Sequence, residues 1–230
     1  EDIYVKRWNG TSWQQLGGAL DVNRPASTEA PSLAIDNTGT PIVAWQEGPF
    51  EQKKVYVKRW TGSSWSQVGT SSLNISASQS AEFPFLVIDS MNRPMVAWHE
   101  GSVSRANIYL RRWNGSSWVN VATNTLNVKT NHNARYPALT LDDAGNPLVA
   151  WQECDPTSCF YDIYVKHYVN NGWRPLGRAV DIRLANDAFS SSLARKSNDH
   201  PVVAWQEMGN IYAKEWNGTG WTRLGNKLNT

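Results

Sequence analysis

Val43-Ala44-Trp45-Gln46-Glu47 is the stretch that decides the fold, because the chain writes it four times. The other copies are Val96-Ala97-Trp98-His99-Glu100, Val149-Ala150-Trp151-Gln152-Glu153 and Val203-Ala204-Trp205-Gln206-Glu207. The tryptophans of successive copies lie 53, 53 and 54 residues apart. A period of this length indicates an array in which each repeat is one supersecondary unit.

A second motif occurs five times and sets the phase of the repeat. Its copies are "IYVKRWNGTSW" from Ile3, "VYVKRWTGSSW" from Val55, "IYLRRWNGSSW" from Ile108, "IYVKHYVNNGW" from Ile163 and "IYAKEWNGTGW" from Ile211. One copy precedes the first VAWQE motif, and one follows each VAWQE motif. The sequence therefore predicts a half repeat at residues 1–22 and full repeats at about 23–75, 76–128, 129–182 and 183–230.

Each full repeat predicts four short strands. "PSLAID" at Pro31 alternates, "PIVAWQE" is rich in β-branched and aromatic residues, "VYVKRW" alternates again, and "SWSQVG" ends the repeat. Asp/Gly and Asn-Gly turns separate the strands, and proline begins the second strand, where its missing N–H is tolerated. No segment has helical periodicity. The expected fold is all-β: a β-propeller of four-stranded antiparallel blades.

The pattern P-x-L-x-x-D-x-x-G-x-P-x-V-A-W-x-E, followed by I-Y-V-K-R-W-N-G, resembles bacterial propeller repeats of the TolB type. It is similar, more loosely, to the Asp-box repeats of sialidase-like propellers. The Asp-box spacing itself is not met, and the Phe-Arg-Ile-Pro run and arginine set of sialidases are not recognisable. The resemblance implies the fold and leaves function open, since propellers host enzymes, lectins and scaffolds.

The half repeat raises the question of how the ring closes. By analogy with TolB-type blades, the chain begins with two outer strands whose inner partners are missing, and exposed sheet edges are a liability. Three interpretations stay open: a fragment of a larger propeller, a ring completed by a second copy of the chain, or closure of imperfect blades within one chain. We favour the first two.

The glutamate that ends each VAWQE motif has two interpretations. It accepts hydrogen bonds from backbone N–H groups or from a basic side chain of a neighbouring blade, or it forms part of a repeated polar ligand site; we favour the first. The tryptophans all belong to the two motifs, so we expect them to pack between blades rather than to bind ligand. Four carboxylates on separate blades are too far apart to hold one metal ion.

Variable loops are the better place to look for a binding site. The loops after each VAWQE motif and the loops into each first strand differ between repeats, and in a four-stranded blade both lie on the same face. They carry the aromatic residues outside the motifs: Phe50, Phe83, Tyr136, Phe160, Tyr161 and Phe189. The candidate ligand-binding residues are Gln46, Glu47, His99, Glu100, Gln152, Glu153, Gln206, Glu207, Glu29, Glu82, Arg135 and Tyr136.

Composition limits the classes of partner. The formal net charge of +2 gives no basic field for nucleic acid, and no apolar run is long enough to span a bilayer. The chain opens in mid-pattern, which favours a processed or cut end. Cys154 and Cys159 predict a local disulfide if the protein is exported, and we expect an extracellular or cell-surface location. No cofactor or metal site is predicted.

No catalytic motif is present. The four histidines are scattered over the repeats, and the sequence lacks a nucleophile elbow, a P-loop and a dinucleotide fingerprint. The expectation is therefore a non-catalytic binding or adhesion module for glycans or a protein surface. The alternatives are the propeller part of a larger glycoside-acting or peptidase enzyme, and an assembly scaffold.

Overall fold

A computed structural model describes residues 1–23, 25–121, 125–154, 160–183, 186–197 and 200–229. Throughout these residues the secondary structure consists of strands, turns and bends. Within this described part of the chain, eighteen strands form one two-stranded sheet and four four-stranded sheets, all antiparallel. No helix of the described residues is long and apolar enough to cross a membrane.

Each sheet takes up one predicted repeat, and we call the four-stranded sheets blades 1 to 4. The half blade is β1 (Lys6–Trp8) and β2 (Trp13–Gln15). Blade 1 is β3 (Thr28–Ile35), β4 (Pro41–Glu47), β5 (Lys54–Trp60) and β6 (Trp65–Gln67); blade 2 is β7 (Ser80–Ile88), β8 (Pro94–Ser102), β9 (Arg105–Trp113) and β10 (Trp118–Asn120). Blade 3 is β11 (Asn133–Leu141), β12 (Pro147–Cys154), β13 (Tyr161–Val169) and β14 (Gly172–Pro175); blade 4 is β15 (Ala188–Arg195), β16 (Pro201–Glu207), β17 (Asn210–Trp216) and β18 (Trp221–Arg223).

The first strand of each blade is the innermost. Residues of β3, β7, β11 and β15 together line one central cavity of about 240 Å³, and from there each blade runs outward in chain order. The four blades are therefore arranged around a common axis, as the propeller prediction requires. The sheets do not form a closed barrel.

The core lies between the blades. One apolar cluster joins Ile42 and Val57 of blade 1 to Leu86 and Trp98 of blade 2, and equivalent clusters join the other neighbours. The four VAWQE tryptophans are at most 1% exposed, which confirms the prediction that they are buried. Replacing one such aromatic side chain with alanine costs about 3–5 kcal/mol, so stacking of blades stabilises a sheet that cannot bury both faces alone.

Every innermost strand carries the same irregularity. The register of β3 against β4 shifts between Glu29 and Ser32, and the shift recurs at the same point in blades 2, 3 and 4. One residue of each bulge has a positive φ: Ala30 (48°), Phe83 (50°), Tyr136 (53°) and Ser190 (52°). Left-handed backbone at a non-glycine residue costs about 1–3 kcal/mol and is concentrated at functional sites. Residues of all four bulges line the central cavity.

Candidate functional site

The VAWQE glutamates lie inside the protein and hold the connections between blades. Glu100 accepts hydrogen bonds from the backbone N–H groups of Ile75 and Ser76, at 2.9 and 2.6 Å, and from Nε1 of Trp98 at 2.9 Å. The other three copies repeat this set of three donors, and all four glutamates are at most 2% exposed. The prediction of backbone hydrogen bonds is confirmed, and Glu47, Glu100, Glu153 and Glu207 are not accessible to a ligand.

Lysines of the IYVKRW motif also donate hydrogen bonds to the connections between blades. Lys58 donates from Nζ to the carbonyl oxygens of Leu20 and Asp21, at 2.7 and 3.2 Å, and lies 5.7 Å from the ring centre of Trp45. Lys166 and Lys214 repeat both contacts. The basic side chains therefore bind backbone carbonyls of the connection, and backbone N–H groups bind the glutamates.

The residue before each glutamate supports the bulge of the next blade. Gln46 Oε1 accepts from the N–H of Phe83 at 2.6 Å, Nδ1 of His99 lies 3.4 Å from the N of Tyr136, and Gln152 Oε1 accepts from Ser190 at 3.3 Å. Gln46, His99 and Gln152 are buried, whereas Gln206 of blade 4 is exposed. These contacts fix the strained backbone that presents Phe83 and Tyr136.

An aromatic cluster stands on the bulges of blades 2 and 3. The Phe83 ring stacks on the His99 imidazole with centroids 5.5 Å apart, and it meets Tyr136 edge-on at 4.6 Å. Burial, helped by the nearby Arg135 guanidinium, lowers the pKa of His99 to about 3, so the imidazole is neutral near neutral pH. Phe83 and Tyr136 nevertheless expose 39% and 38% of their surface. They offer aromatic faces to a ligand.

Arg135 is fixed beside this cluster. Its Nη2 donates to the carbonyl oxygens of Ser102 and Val103, at 2.8 and 2.7 Å, and its Nε donates to Asn133 at 3.1 Å. Its Nη1 lies 3.2 Å from Nε2 of His99. All three nitrogens of the guanidinium are therefore held by neighbouring groups, and the side chain has a fixed position at the cleft.

Arg135 and Tyr136 form part of the wall of a cavity of about 580 Å³ on the loop face. It is lined by Val103, Arg135, Tyr136, Gln152, Tyr161, Phe189, Ser190 and Gln206. Burial raises the pKa of Tyr161 to about 12, with Cys154 as a further cause, so this phenol stays protonated. Among these lining residues Arg135 is the one with a formal charge. We refer to this cavity as the loop-face cleft.

The predicted acidic residues lie at the bulges of blades 1 and 2. Glu29 forms an ion pair with Lys53 and accepts a hydrogen bond from Gln46 at 3.1 Å; the Lys53 contact is the largest cause of a lowered Glu29 pKa. Glu82 occupies the equivalent position in blade 2 and accepts from the Ser80 hydroxyl at 2.7 Å. Glu29 and Lys53 line a second loop-face cavity of about 530 Å³, which contains residues of both kinds of variable loop. The structure therefore places those loops on one face.

The remaining points concern the two cysteines and the metal-ligating side chains. Cys159 lies outside the described residues, so the predicted Cys154–Cys159 disulfide stays a prediction; Cys154 itself is buried. Among the described residues, no group of three or more His, Cys, Asp and Glu side chains is placed to hold a metal ion.

Comparison with solved structures identifies the fold. No protein-family model matches the sequence, and no curated protein matches it either. The chain is similar to a protein of unknown function from Dyadobacter fermentans, with a TM-score of 0.67 and 13% identity over 89% of this chain and 71% of that one. It is also similar to the α-L-arabinanase of Penicillium chrysogenum, solved with arabinobiose, with a TM-score of 0.60 and 10% identity over 97% of this chain and 72% of that one. A third similar structure is an ulvan lyase bound to -[GlcA(1-4)Rha3S]-, with a TM-score of 0.67 and 13% identity over 99% of this chain and 66% of that one.

This chain has a β-propeller fold. That conclusion rests on its own four sheets around one axis and on the similarity to these structures. Similarity at this level of identity establishes the fold alone. The more specific TolB-type resemblance stays a prediction.

The expectation of a non-catalytic binding module is contradicted by the same comparison. Several of the similar structures are enzymes that act on carbohydrates. They include an endo-arabinase, an arabinanase, an α-L-arabinofuranosidase, a fructan exohydrolase and an ulvan lyase. Missing motifs are weak evidence against catalysis here for a physical reason. In a propeller, side chains of different blades meet in space, so a site built from several blades need not form a local sequence motif.

Proposed function

We propose that this propeller acts as a carbohydrate-active enzyme that cleaves a glycan bound across the loop face. The observation that carries the proposal is the loop-face cleft, where Tyr136, Tyr161 and Phe189 supply aromatic surface and Arg135, Gln152 and Gln206 supply polar groups. Ligand sites combine apolar walls with a few fixed polar groups. A sugar ring has an apolar face and a rim of hydroxyls, so it suits such a cleft.

The similar structures support the choice of substrate class. The arabinanase was solved with arabinobiose and the ulvan lyase with a uronate-containing saccharide. An acidic glycan fits this chain better than a neutral one, because Arg135 adds one positive charge to a cleft whose described lining residues include no carboxylate. Polysaccharides of this kind are found outside cells, so an extracellular location is part of the proposal.

We assign cleavage to Glu29 and Glu82, which lie outside the loop-face cleft at the bulges of blades 1 and 2. The proposal therefore requires that the bound glycan extends from that cleft across the loop face to these two glutamates. Hydrolysis of a glycosidic bond generally uses two carboxyl groups on either side of that bond. The two glutamates have equivalent positions in neighbouring innermost strands, each immediately before the left-handed residue of its bulge. Contact with Lys53 lowers the pKa of Glu29, which suits a base or nucleophile, and we assign Glu82 the role of general acid towards the leaving group.

Turnover of a panel of acidic and neutral polysaccharides tests the proposal. The readouts are new reducing ends and, separately, the ultraviolet absorbance of the unsaturated sugars that a lyase forms. We expect reducing ends from an acidic glycan without that absorbance, and a loss of about 10²-fold or more in Glu29→Gln and in Glu82→Gln. Glu215→Gln, on the outer strand β17, is the matched control.

Binding provides an independent check of the cleft. Tyr136→Ala should weaken glycan binding while the thermal unfolding midpoint stays close to that of the parent. Activity that is unchanged in both glutamate variants contradicts the assigned carboxylates. A folded chain that neither binds nor cleaves any glycan of the panel contradicts the proposed function itself.

A further inference from the structure

The connections that leave blades 1, 2 and 3 are each tied back to the blade by one side chain. In blade 1 this side chain is Asn74, whose Oδ1 accepts from the N–H of Val55 at 3.2 Å. Its Nδ2 donates to the carbonyl oxygens of Lys53 and Gln79, at 3.1 and 3.0 Å. Asn127 makes the same three bonds in blade 2. A carboxamide suits this position because it offers both an acceptor and two N–H donors.

Blade 3 has Asp181 at this position, and a carboxylate has no N–H to donate. Its Oδ1 keeps the bond to the backbone, from the N–H of Ile163 at 3.1 Å, so Oδ2 occupies the place of the asparagine Nδ2. The residue is 6% exposed, and Oδ2 has no hydrogen-bond partner among the described residues. A buried carboxylate oxygen without a partner is costly, which indicates a bound group that the protein itself does not supply.

The backbone beyond Asp181 follows that of the other connections. The N–H of Asn186 donates to the carbonyl oxygen of Arg183 at 3.1 Å, and the corresponding turns of the two preceding connections have the same bond. The carbonyl oxygens that the asparagines bind in blades 1 and 2 therefore correspond to those of Tyr161 and Asn186. Asp181 turns an oxygen atom towards this position, where the other blades turn an NH₂ group.

Asp162 is a second carboxylate beside Asp181, because it precedes Ile163, whose N–H Asp181 binds. Its Oδ1 is also buried without a hydrogen-bond partner in the part of the chain that the structure describes. Its Oδ2 accepts from the Tyr164 hydroxyl at 3.2 Å. Burial, with Asp181 as a further cause, raises the pKa of Asp162 to about 6, as expected for neighbouring carboxylates without a cation between them.

We propose that Asp162 and Asp181 bind a calcium ion at the connection from blade 3 to blade 4. The carbonyl oxygens of Tyr161 and Asn186 provide further ligands, and water completes the coordination. Calcium fits because it takes about six to eight oxygen ligands from carboxylates, carbonyls and water, and two carboxylates balance its charge. The ion replaces the asparagine N–H groups of blades 1 and 2. With two carboxylates, the site is compatible with the lack of a larger group of metal-ligating side chains among the described residues.

Calcium binding by the full chain tests the proposal. Thermal unfolding and hydrogen exchange are measured in a chelator, and again with calcium or magnesium added. Calcium should raise the unfolding midpoint by about 5 °C or more when its concentration is about 100 times the dissociation constant. It should also slow exchange at the amide of Ile163, which lies between the two carboxylates. Magnesium should have a smaller effect, because it loses its bound water reluctantly.

Two variants locate the effect. Asp181→Asn supplies the side chain that blades 1 and 2 have, so it should fold, and in the chelator it should be at least as stable as the parent. Calcium should neither raise its midpoint nor slow exchange at Ile163. Asp187→Asn is the matched control, because it removes a nearby carboxylate and changes the charge equally. Its asparagine can keep the bond that Asp187 accepts from a backbone N–H, as Asn133 does in the preceding connection.

The control variant Asp187→Asn should respond to calcium as the parent does. The proposal fails if calcium changes neither the midpoint of the parent nor exchange at Ile163, or if Asp181→Asn responds like the parent. It fails as well if Asp187→Asn loses the response, because the effect then follows from negative charge on the connection in general. No readout depends on a glycan, so the outcome is independent of the proposed enzymatic function.

Discussion

The VAWQE glutamates and the bulge residues lie close together on the first two strands of each blade, yet the glutamates are buried and most of the bulge residues are exposed. In blade 1, Thr28 pairs with Glu47 and Glu29 pairs with Gln46, immediately before the left-handed residue Ala30. The glutamate is the same in all four blades and is buried. The bulge positions carry alanine, phenylalanine, tyrosine and serine, and three of these four residues are exposed.

This difference separates the scaffold from the site. A residue that every blade requires performs a task that every blade has, such as fixing the connection that enters it. A residue that changes from blade to blade performs a task that occurs once around the ring. The carbonyl and N–H groups of the connections need the same partner each time, whereas a bound glycan meets a different surface at each blade.

The largest expected effect comes from removing one buried glutamate. Glu100→Ala leaves the N–H groups of Ile75 and Ser76 and the Trp98 indole without their acceptor. Each unsatisfied buried donor costs about 1–3 kcal/mol, so we expect a loss of at least about 3 kcal/mol in the free energy of unfolding. Denaturant titration measures it.

Glu82→Ala is the matched control, because it removes the same side chain from the bulge of the same blade. Its expected cost is below about 1 kcal/mol, since Glu82 is partly exposed and accepts its hydrogen bond from the Ser80 hydroxyl rather than from a buried backbone N–H. If both variants lose the same stability, the separation between scaffold and site is wrong.

The second largest expected loss of stability concerns Gly69, which the Trp113 and Trp118 rings of blade 2 enclose. Gly69 has a φ of 90°, and a Cβ atom there would lie 2.9 Å from Trp118; Gly62 has a φ of 98° and open space around it. Left-handed backbone alone costs about 1–2 kcal/mol for alanine. We therefore expect Gly69→Ala to lower the free energy of unfolding by about 1 kcal/mol more than Gly62→Ala, because the Trp118 ring must also move.

Gly225 extends this comparison to the last blade. It follows the last strand of its blade, as Gly69 does, and has a φ of 70°, but a Cβ atom there would meet no atom of the described residues within 4 Å. Gly225→Ala should therefore resemble Gly62→Ala in a thermal unfolding experiment. A cost as large as that of Gly69→Ala would mean that a tryptophan pair encloses Gly225 in solution.

Sequence reasoning predicted the repeated part of the molecule and named residues that line the loop-face cleft, such as Arg135, Tyr136 and Gln152, but it did not predict the bulges. The VAWQE and IYVKRW motifs predicted the strands and the buried tryptophans because they recur with a fixed period. The bulges carry no such signal: Ala30, Phe83, Tyr136 and Ser190 are not residue types that mark left-handed backbone. Lys53 adjoins Lys54 in the sequence, and only the fold brings it to Glu29.

One buried position of the scaffold also differs between repeats: Asp181 stands where the two preceding repeats have Asn74 and Asn127. Asn74 and Asn127 accept from a backbone N–H through Oδ1 and donate through Nδ2 to two carbonyl oxygens. Asp181 keeps the first bond, to Ile163, but has no donor for the carbonyls, and its Oδ2 is buried without a hydrogen-bond partner among the described residues. Burial and the neighbouring Asp181 raise the pKa of Asp162 to about 6.

Asp181→Asn should therefore stabilise the protein, by about 1 kcal/mol at neutral pH. The folded-state pKa of Asp162 lies above its unfolded value, so the parent loses stability as the pH rises from about 4 through about 6. The variant removes the charge that contributes to this shift, and it should lose less stability over the same range. Unfolding midpoints of parent and variant, measured at a series of pH values, should differ less near pH 4 than near pH 7. Parallel curves for parent and variant would mean that Asp181 does not influence the ionisation of Asp162.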